Sequence, residues 1–245
     1  MLINTDVNLP FSAIRLLQQG WHWLMPSSCL WCSLPVQSAT HQLCTDCQSA
    51  LPQLPYALCH YNLLWLPQVA QGLKKPRFDQ LLSVSLYQHP YRHWLQRWKF
   101  FTDDAAGDLL QLQFAALLAQ LTTTGQTLPD AIVYVPMHKA RQRKRGFNQA
   151  QLLAQAAAEQ LGLPLLHVIQ KSRHLSAQVG LSRKQRKRNL RHSFTLNTTI
   201  GLPSHLALVD DVVTTGATAN EICRLLRRHG VRRISVWTVA VTTLT

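Results

Sequence analysis

Two adjacent carboxylates, followed by a turn rich in threonine and glycine, form the segment with the most specific chemistry. An apolar run over residues 204–209 ends at Asp210 and Asp211, and residues 214–218 (TTGAT) lead into the next segment. In α/β folds, ligands bind where a parallel strand ends and a helix begins, and the free N–H groups of that helix attract phosphate. Carboxylates there can accept hydrogen bonds from ribose hydroxyls and hold Mg²⁺, directly or through water. A polar strand end with an ordinary turn is the alternative, but two acids on a buried strand are costly without such partners.

Four cysteines have the spacing of a metal site. Cys29 and Cys32 form one Cys-x-x-Cys pair, and Cys44 and Cys47 form a second pair eleven residues later. Two such pairs suit a tetrahedral Zn²⁺ held by four thiolates, and zinc would replace the core that so small a module cannot build. The alternatives are coincidence and redox pairs, but a redox pair needs a βαβ context that this segment lacks. Cys59 has no such second cysteine and is expected to be a buried thiol.

The positive charge of the chain is concentrated in one segment. The 245 residues carry a formal net charge of +14, from 25 Lys+Arg and 11 Asp+Glu. Residues 139–191 contain 13 of the basic residues and a single acid, whereas residues 1–138 have no net charge. The positive charge is therefore not spread evenly along the chain. This asymmetry of charge indicates a polyanionic partner.

The basic segment has two clusters with different expected roles. Arg141, Arg143 and Arg145 lie in a predicted loop that follows a strand, at the sheet edge that also carries the acidic pair, where guanidinium groups can hold a pyrophosphate. The cluster at residues 183–191 lies in a predicted loop that could close over the site. There are two alternatives for these clusters. The charges could be solvated and act only by attracting a charged ligand at long range, or they could contact a nucleic-acid backbone.

Aromatic and basic side chains also alternate over residues 91–100. Stacking on single-stranded nucleic acid is one interpretation of such a pattern. Tyr91, Trp94, Leu95 and Trp98 recur at helical spacing, however, and this favours one buried face of a helix.

The spacing of apolar residues, together with glycine and proline residues that end helices, predicts an α/β domain after a small N-terminal module. Helices are expected over residues 11–25, 105–121, 147–162 and 217–230, and strands over residues 131–136, 163–169, 204–211 and 232–241. Strands that alternate with helices predict a parallel sheet flanked by helices. We expect domains at residues 1–66 and 67–245.

Composition limits the class of protein. The apolar fraction of 47% excludes a disordered chain, and no stretch reaches the ~18 consecutive apolar residues of a membrane span. No secretory signal is visible at the N-terminus. A cytoplasmic protein is expected, with cysteines that are thiols or metal ligands.

The motifs together resemble a known family. Residues 208–218 (LVDDVVTTGAT) are similar to the phosphoribosyl pyrophosphate (PRPP) motif of type I phosphoribosyltransferases. Residues 135–138 and the R-x-R-x-R-G-F-N-Q segment at 141–149 resemble the ComF/GntX family, which also carries an N-terminal module of Cys-x-x-Cys pairs. Further matches lie downstream at Gln178, Leu181, Arg186, Asn189, Leu190 and Phe194. The resemblance runs from about Cys29 to Val241.

The resemblance implies a type I phosphoribosyltransferase-like fold with a four-cysteine zinc module. By analogy, Asp210 and Asp211 would bind the ribose hydroxyls at the catalytic site, with Mg²⁺ accompanying PRPP. The 5′-phosphate would lie against Val213, Thr214, Thr215, Gly216, Ala217 and Thr218. The segment with Arg141, Arg143 and Arg145 would face the pyrophosphate, and Arg186 and Asn189 would belong to a flap loop. Many members carry a further Cys-x-x-Cys where this chain has Cys59 and Asn62, so only one four-cysteine centre is expected.

Two functions remain open at this level. The family is associated with natural competence and the use of imported DNA, and the first expectation is a protein that binds PRPP or a related nucleotide and transfers or hydrolyses the phosphoribosyl group. The alternative is a non-catalytic accessory protein that senses a nucleotide or binds single-stranded DNA beside DNA-processing partners. No residue identifies an acceptor base or amine.

Overall fold

The computed structural model describes residues 26–38, 41–171, 193–197 and 201–243. It divides into two compact units, residues 1–52 and 53–245. The helix predicted over residues 11–25 lies outside the described residues, as does the basic cluster at 183–191.

The first unit is organised around its cysteines. An antiparallel bridge between Ser28 and Pro35 closes the turn that carries the first cysteine pair. Cys44 caps a short helix, α1 (Thr45–Ser49), which carries the last cysteine of the cluster. Buried apolar side chains accompany the cysteines at Val36, Leu43 and Leu51. Units this small gain little from apolar burial, and in many of them a metal ion bound by cysteines supplies stability instead.

The second unit is built on a four-stranded parallel sheet. Its strands, in spatial order, are β1 (Gln80–Leu86), β6 (Arg233–Val241), β5 (His205–Val213) and β2 (Ala131–Tyr134). β3 (Ile169–Lys171) and β4 (Phe194–Leu196) form a separate antiparallel pair. Every residue of β5 that precedes the acidic pair is buried, and so is nearly every residue of β6. Such burial is expected for parallel strands that are covered on both faces.

Helices and a turn of 3₁₀ helix surround this sheet. They are the turn at Leu63–Trp65 and the helices α2 (Pro67–Ala70), α3 (Tyr91–Phe101), α4 (Asp104–Leu121), α5 (Lys139–Arg145), α6 (Gln149–Leu161) and α7 (Ala217–Arg228). The predicted fold class, a parallel sheet flanked by helices, is confirmed.

Non-strand residues cover both edges of the sheet. The Tyr56 hydroxyl accepts a hydrogen bond from the Ser83 N–H at 2.8 Å and donates one to the carbonyl oxygen of the same residue on β1. Asn62 Oδ1 accepts from the N–H of Leu81 at 3.1 Å. On the opposite edge, the N–H of Ile132 in β2 donates to the Pro164 carbonyl at 2.9 Å.

Helix α3 has the buried face that its spacing predicts. Tyr91, Trp94, Leu95 and Trp98 are all buried, which confirms the helical interpretation of this aromatic segment. The strand β1 that precedes it was not predicted, because its apolar run (LLSVSL) is short and interrupted by serines.

Two segments differ in conformation from the sequence prediction. Residues 139–145, expected as a loop, form the short helix α5, because Lys, Arg, Gln and Ala are good helix formers and His138 Nδ1 accepts from the Ala140 N–H at 3.2 Å. The strand expected over residues 163–169 is reduced to one bridge at Leu165 before β3 begins at Ile169. Pro164 has no N–H, so this segment cannot form a full ladder with β2.

Candidate functional site

The acidic pair lies towards the carboxyl end of β5, a central strand of the sheet. The carboxyl ends of the parallel strands together form the edge of the sheet at which this pair lies. β5 has β6 on one side and β2 on the other. The backbone N–H of Asp211 donates to Asp210 Oδ1 at 2.9 Å, and the Thr238 hydroxyl donates to the Asp211 carbonyl oxygen at 2.9 Å. These bonds hold the two acids in a fixed relation to each other at a position where α/β folds bind ligands.

The turn after β5 leads into the N-terminus of α7. Gly216 caps this helix with a φ of 71°, a left-handed conformation that glycine adopts without steric cost. Thr214 and Ala217 are exposed, and Thr215 and Thr218 are half-buried. The first N–H groups of a helix have no partner within it, so this turn offers backbone donors and threonine hydroxyls to an anion.

A neighbouring segment supports the turn. The Lys74 N–H donates to the Thr215 carbonyl oxygen at 3.0 Å. Asn220, in the first turn of α7, donates to the Lys74 carbonyl at 2.9 Å and accepts from the Arg77 N–H at 2.7 Å. The turn is therefore tied to residues 74–77 on both sides of Gly216.

One lysine contacts the acidic pair directly. Lys99, in the last turn of α3, places Nζ 2.8 Å from Asp211 Oδ2. Its neighbour Trp98 is buried and stacks on Phe147 with ring centroids 5.8 Å apart, and this contact fixes the end of α3. The sequence showed no specific role for Lys99, because a single lysine at the end of an aromatic helix carries no signature of its own.

Two further cations lie within electrostatic reach of the acids. Burial lowers the pKa of Arg145, and the nearby Asp211 carboxylate opposes this shift. Burial and the Arg141 guanidinium lower the pKa of Lys171 in β3, whereas the Asp210 carboxylate raises it. The structure thus brings basic residues of α5 and β3 to the sheet edge that carries the acidic pair.

Asp210 has a strongly perturbed acidity. Burial, and then the charge of Asp211, raise the pKa of Asp210 to about 8, while Lys99 opposes the shift. Two carboxyl groups this close resist being ionised together, which adds to the effect of burial on Asp210. A cationic or hydrogen-bonding ligand would favour the ionised form.

The residues after α5 anchor the basic helix. Arg145 Nη1 donates to Gln149 Oε1 at 2.9 Å, and its guanidinium carbon lies 5.8 Å from the centroid of the Phe100 ring. Asn148 caps α6 and donates from Nδ2 to the Val135 carbonyl at 3.1 Å, which ties the turn to the end of β2. The R-G-F-N-Q residues therefore position Arg145 and stabilise the turn in which it lies.

The other predicted site residues divide into three groups. The Val213 side chain is buried in the core, so only its backbone can face a ligand. Arg141 and Arg143 are exposed on α5. Arg186 and Asn189, predicted in a flap, lie outside the described residues.

The carboxylates of the pair suit Mg²⁺ in their chemistry, since oxygen donors are what this ion prefers. The position of Lys99 limits how it can bind. A cation bound directly to Asp211 Oδ2 would lie close to the Lys99 ammonium group, which repels it. The donor set therefore fits Mg²⁺ best when the ion arrives with a ligand or is bound through water.

The four cysteines of the first unit form a cluster that could hold a metal ion. The Sγ atoms of Cys29, Cys32, Cys44 and Cys47 all lie within 4.8 Å of one another, and those of Cys32 and Cys44 are 3.7 Å apart. Sulfurs at the corners of a zinc tetrahedron with Zn–S of ~2.3 Å are separated by roughly 3.8 Å. The spacing of the cluster is thus compatible with a tetrahedral zinc site. Cys59, which is buried in the second unit, does not belong to it.

Comparison with known proteins agrees with this architecture. Residues 148–242 match the family model described as phosphoribosyl transferase domain. Competence protein F of Haemophilus influenzae is 36% identical over 221 residues, which cover 86% of this chain and 96% of that protein. The DNA utilization protein YhgH of Escherichia coli K12 is 33% identical over 222 residues, with coverage of 87% and 96%.

A more distant relative and a solved structure extend the comparison. Competence protein ComFC of Bacillus subtilis is 27% identical over 206 residues, which cover 82% of this chain and 78% of that protein. The glutamine PRPP amidotransferase of B. subtilis superposes with a TM-score of 0.41 at 18% identity, over 59% of this chain and 30% of that chain. A superposition this loose adds nothing to the fold described above.

Within the described residues, no helix combines the length and hydropathy that a membrane span needs.

Proposed function

The chain belongs to the family of competence protein F and the DNA utilization protein YhgH, and we propose that it binds PRPP, or a related phosphoribosyl nucleotide, at the carboxyl end of β5. The observation that carries the proposal is the convergence of an acidic pair, an open helix N-terminus and several cations on one sheet edge. Lys99 contacts Asp211, and the charge of that carboxylate also reaches Arg145.

Each part of the edge matches one part of the ligand. The carboxyl groups of Asp210 and Asp211 can bind neighbouring ribose hydroxyls. The N–H groups and hydroxyls of residues 214–218 can hold the 5′-phosphate, as helix N-termini do elsewhere. Arg145, with Arg141 and Lys171 nearby, supplies positive charge for a pyrophosphate.

In phosphoribosyl transfer, the bond between the anomeric carbon and the pyrophosphate oxygen breaks, and a nucleophile forms the new bond to that carbon. Positive charge builds on the ribose ring while the pyrophosphate takes the electron pair. Mg²⁺ bound with the pyrophosphate would help to neutralise the leaving group. The fixed cations Arg145 and Lys171 stabilise the same negative charge, and the acidic pair orients the ribose and lies near its developing positive charge.

Calorimetric titration with PRPP and Mg²⁺ tests the proposal. We expect the wild type to bind, and the double substitution Asp210→Asn with Asp211→Asn to abolish binding. Asp108→Asn is the matched control, because Asp108 is an exposed acid on α4, and it should bind as the wild type does. Failure of the wild type to bind PRPP, or unchanged binding by the double variant, would overturn the proposal.

The cysteine cluster is proposed as a structural zinc site. Four thiolate ligands close the coordination shell and leave no open position for catalysis. Burial raises the pKa of the Cys29 thiol, but hydrogen bonds from the backbone of Cys32, Cys44 and Trp31 outweigh it and lower the pKa to about 6. The backbone N–H groups around Cys29 therefore favour its thiolate form.

A second candidate function follows from the exposed charge of α5. Arg141, Arg143 and Lys144 are exposed on this helix. The names of the relatives associate those proteins with competence and DNA utilisation. Such cations can bind the phosphate backbone of single-stranded DNA without any catalytic step, with DNA-processing proteins as partners.

Affinity for a short single-stranded oligonucleotide, measured across a salt series, tests this second function. Backbone contact gives a logarithmic affinity that falls steeply with salt. Arg143→Gln with Lys144→Gln should make the slope shallower by roughly one unit per lost phosphate contact, whereas Arg92→Gln, an exposed residue on α3, should not. No binding at low salt excludes the DNA-binding function.

A further inference from the structure

An exposed aromatic ring follows the lysine that contacts the acidic pair. Phe100, the residue after Lys99, is 69% exposed although it is a large apolar side chain. It belongs to the last full turn of α3, whose buried face uses other residues. The ring therefore contributes little to the core, and its exposure calls for another explanation.

Two contacts relate this ring to the site. Its neighbour Lys99 reaches Asp211 at 2.8 Å. The guanidinium carbon of Arg145 lies 5.8 Å from the Phe100 ring centroid, and the same guanidinium is within reach of the Asp211 charge. Phe100 is thus connected to the acidic pair both along the chain and through space.

The surroundings hold the ring in place. Gln149 is buried, and its Oε1 accepts from Arg145 Nη1 at 2.9 Å, which orients the guanidinium against the ring. Trp98 anchors the helix end by stacking on Phe147. A ring held at one side and open to solvent over most of its surface can receive another flat ring, because stacking needs only a free π-face.

We propose that Phe100, flanked by Arg145, forms a stacking subsite for the base of a nucleoside 5′-monophosphate whose ribose hydroxyls bind Asp210 and Asp211. This inference rests on the proposed function and gives its ligand an aromatic base. Lys99, which contacts Asp211 and precedes Phe100 in the sequence, is a donor that can meet an oxygen of the base or the ribose.

Calorimetry with ribose 5-phosphate, UMP and AMP tests the subsite, since the first ligand lacks a base. The wild type should bind both nucleotides roughly tenfold or more tightly than ribose 5-phosphate, the gain expected from one base–aromatic stack. Phe100→Ala should bind all three alike, and Phe100→Trp should restore the preference. Phe101→Ala is the matched control, because Phe101 is the next residue and is 78% exposed, and it should behave as the wild type.

The outcomes separate this inference from the proposed function. Binding of PRPP or ribose 5-phosphate with no added affinity for the nucleotides overturns the stacking subsite alone. A nucleotide preference that survives Phe100→Ala overturns it as well. Absence of binding by ribose 5-phosphate, PRPP and both nucleotides overturns both proposals. Phe100-dependent binding of an oligothymidylate without a preference among the small ligands assigns the ring to a nucleic-acid strand and also overturns the mononucleotide subsite.

Discussion

The ammonium group of Lys99 lies 2.8 Å from the Asp211 carboxylate, although 112 positions in the sequence separate the two residues. The contact joins the end of α3 to the end of β5. It gives the acidic pair a resident counter-charge before any ligand binds. A cationic ligand must consequently compete with Lys99 for the acidic pair. An anionic or hydrogen-bonding ligand can instead bind to the Lys99 ammonium group.

A double-mutant cycle measures this interaction. Lys99→Met and Asp211→Asn should each change the free energy of unfolding, and their effects should be coupled by about 1 kcal/mol, since the pair is only partly exposed. Urea unfolding followed by tryptophan fluorescence is the measurement. Arg92→Met, on the exposed side of the same helix, should combine additively with Asp211→Asn. An additive result for Lys99 as well would mean that the ion pair has no net stabilising effect.

The acidity of Asp210 predicts a pH-dependent stability. The pKa rises from an ordinary value of 3.8 to about 8, so between these values the native state holds a proton that the unfolded chain has lost. The stability of the wild type therefore falls as pH rises from about 4 to about 8, by at most about 1.4 kcal/mol per pH unit. Above pH 8 this contribution is constant.

Asp210→Asn removes this titration and isolates its effect. The free energy of unfolding of the variant relative to wild type should increase across pH 4–8 and level off beyond it. Urea unfolding at a series of pH values provides the comparison. A difference that stays flat over this range, or shrinks, would show that Asp210 is ionised in the native protein.

Metal analysis tests the cysteine cluster. Purified protein should contain about one zinc per chain, and Cys32→Ser should lower this content and destabilise the first unit. Cys59→Ala is the control, because Cys59 is buried outside the cluster and its loss should leave the zinc content unchanged. Wild-type protein without metal, prepared under reducing conditions and without chelator, would contradict the assignment.

The contact between α3 and α4 depends on a glycine. A Cβ at Gly107 would lie 2.4 Å from Trp98 Nε1, too close for the buried indole to remain where it is. Gly107→Ala should therefore destabilise the protein by about 1–3 kcal/mol, the usual cost of overpacking a core. Gly201→Ala serves as a control in thermal unfolding, since its Cβ would meet nothing within 4 Å. Equal midpoints for the two variants would show that Trp98 can shift freely.

Sequence reasoning located the acidic pair because strand, carboxylates and turn are contiguous over residues 208–218. It located the cysteine cluster for a similar reason, since the spacing of the two pairs predicts that the four thiols lie together. The relation of Lys99 to Asp211 escaped it, because it depends on how α3 crosses the sheet edge. The stack of Trp98 on Phe147 is equally non-local. Long-range pairing of single residues leaves no periodic or spaced signal in a single sequence.

Local conformation failed where composition was ambiguous. Residues 139–145 were expected to form a loop because they follow the end of a predicted strand, yet a capped run of good helix formers folds into α5. β1 was missed because alternating serines obscure a strand whose Ser83 and Ser85 are nonetheless buried. In both cases tertiary surroundings and capping decided the outcome, rather than hydropathy.

The bonds of Tyr56 to β1 have a consequence for association between copies of the chain. An unprotected edge strand is a template for pairing with a strand of another molecule. Here the Tyr56 hydroxyl engages both the N–H and the carbonyl of Ser83, and the Pro164 carbonyl engages the opposite edge at Ile132. Sheet extension from either side would first have to remove these partners, so the second unit carries its own protection against edge-to-edge aggregation.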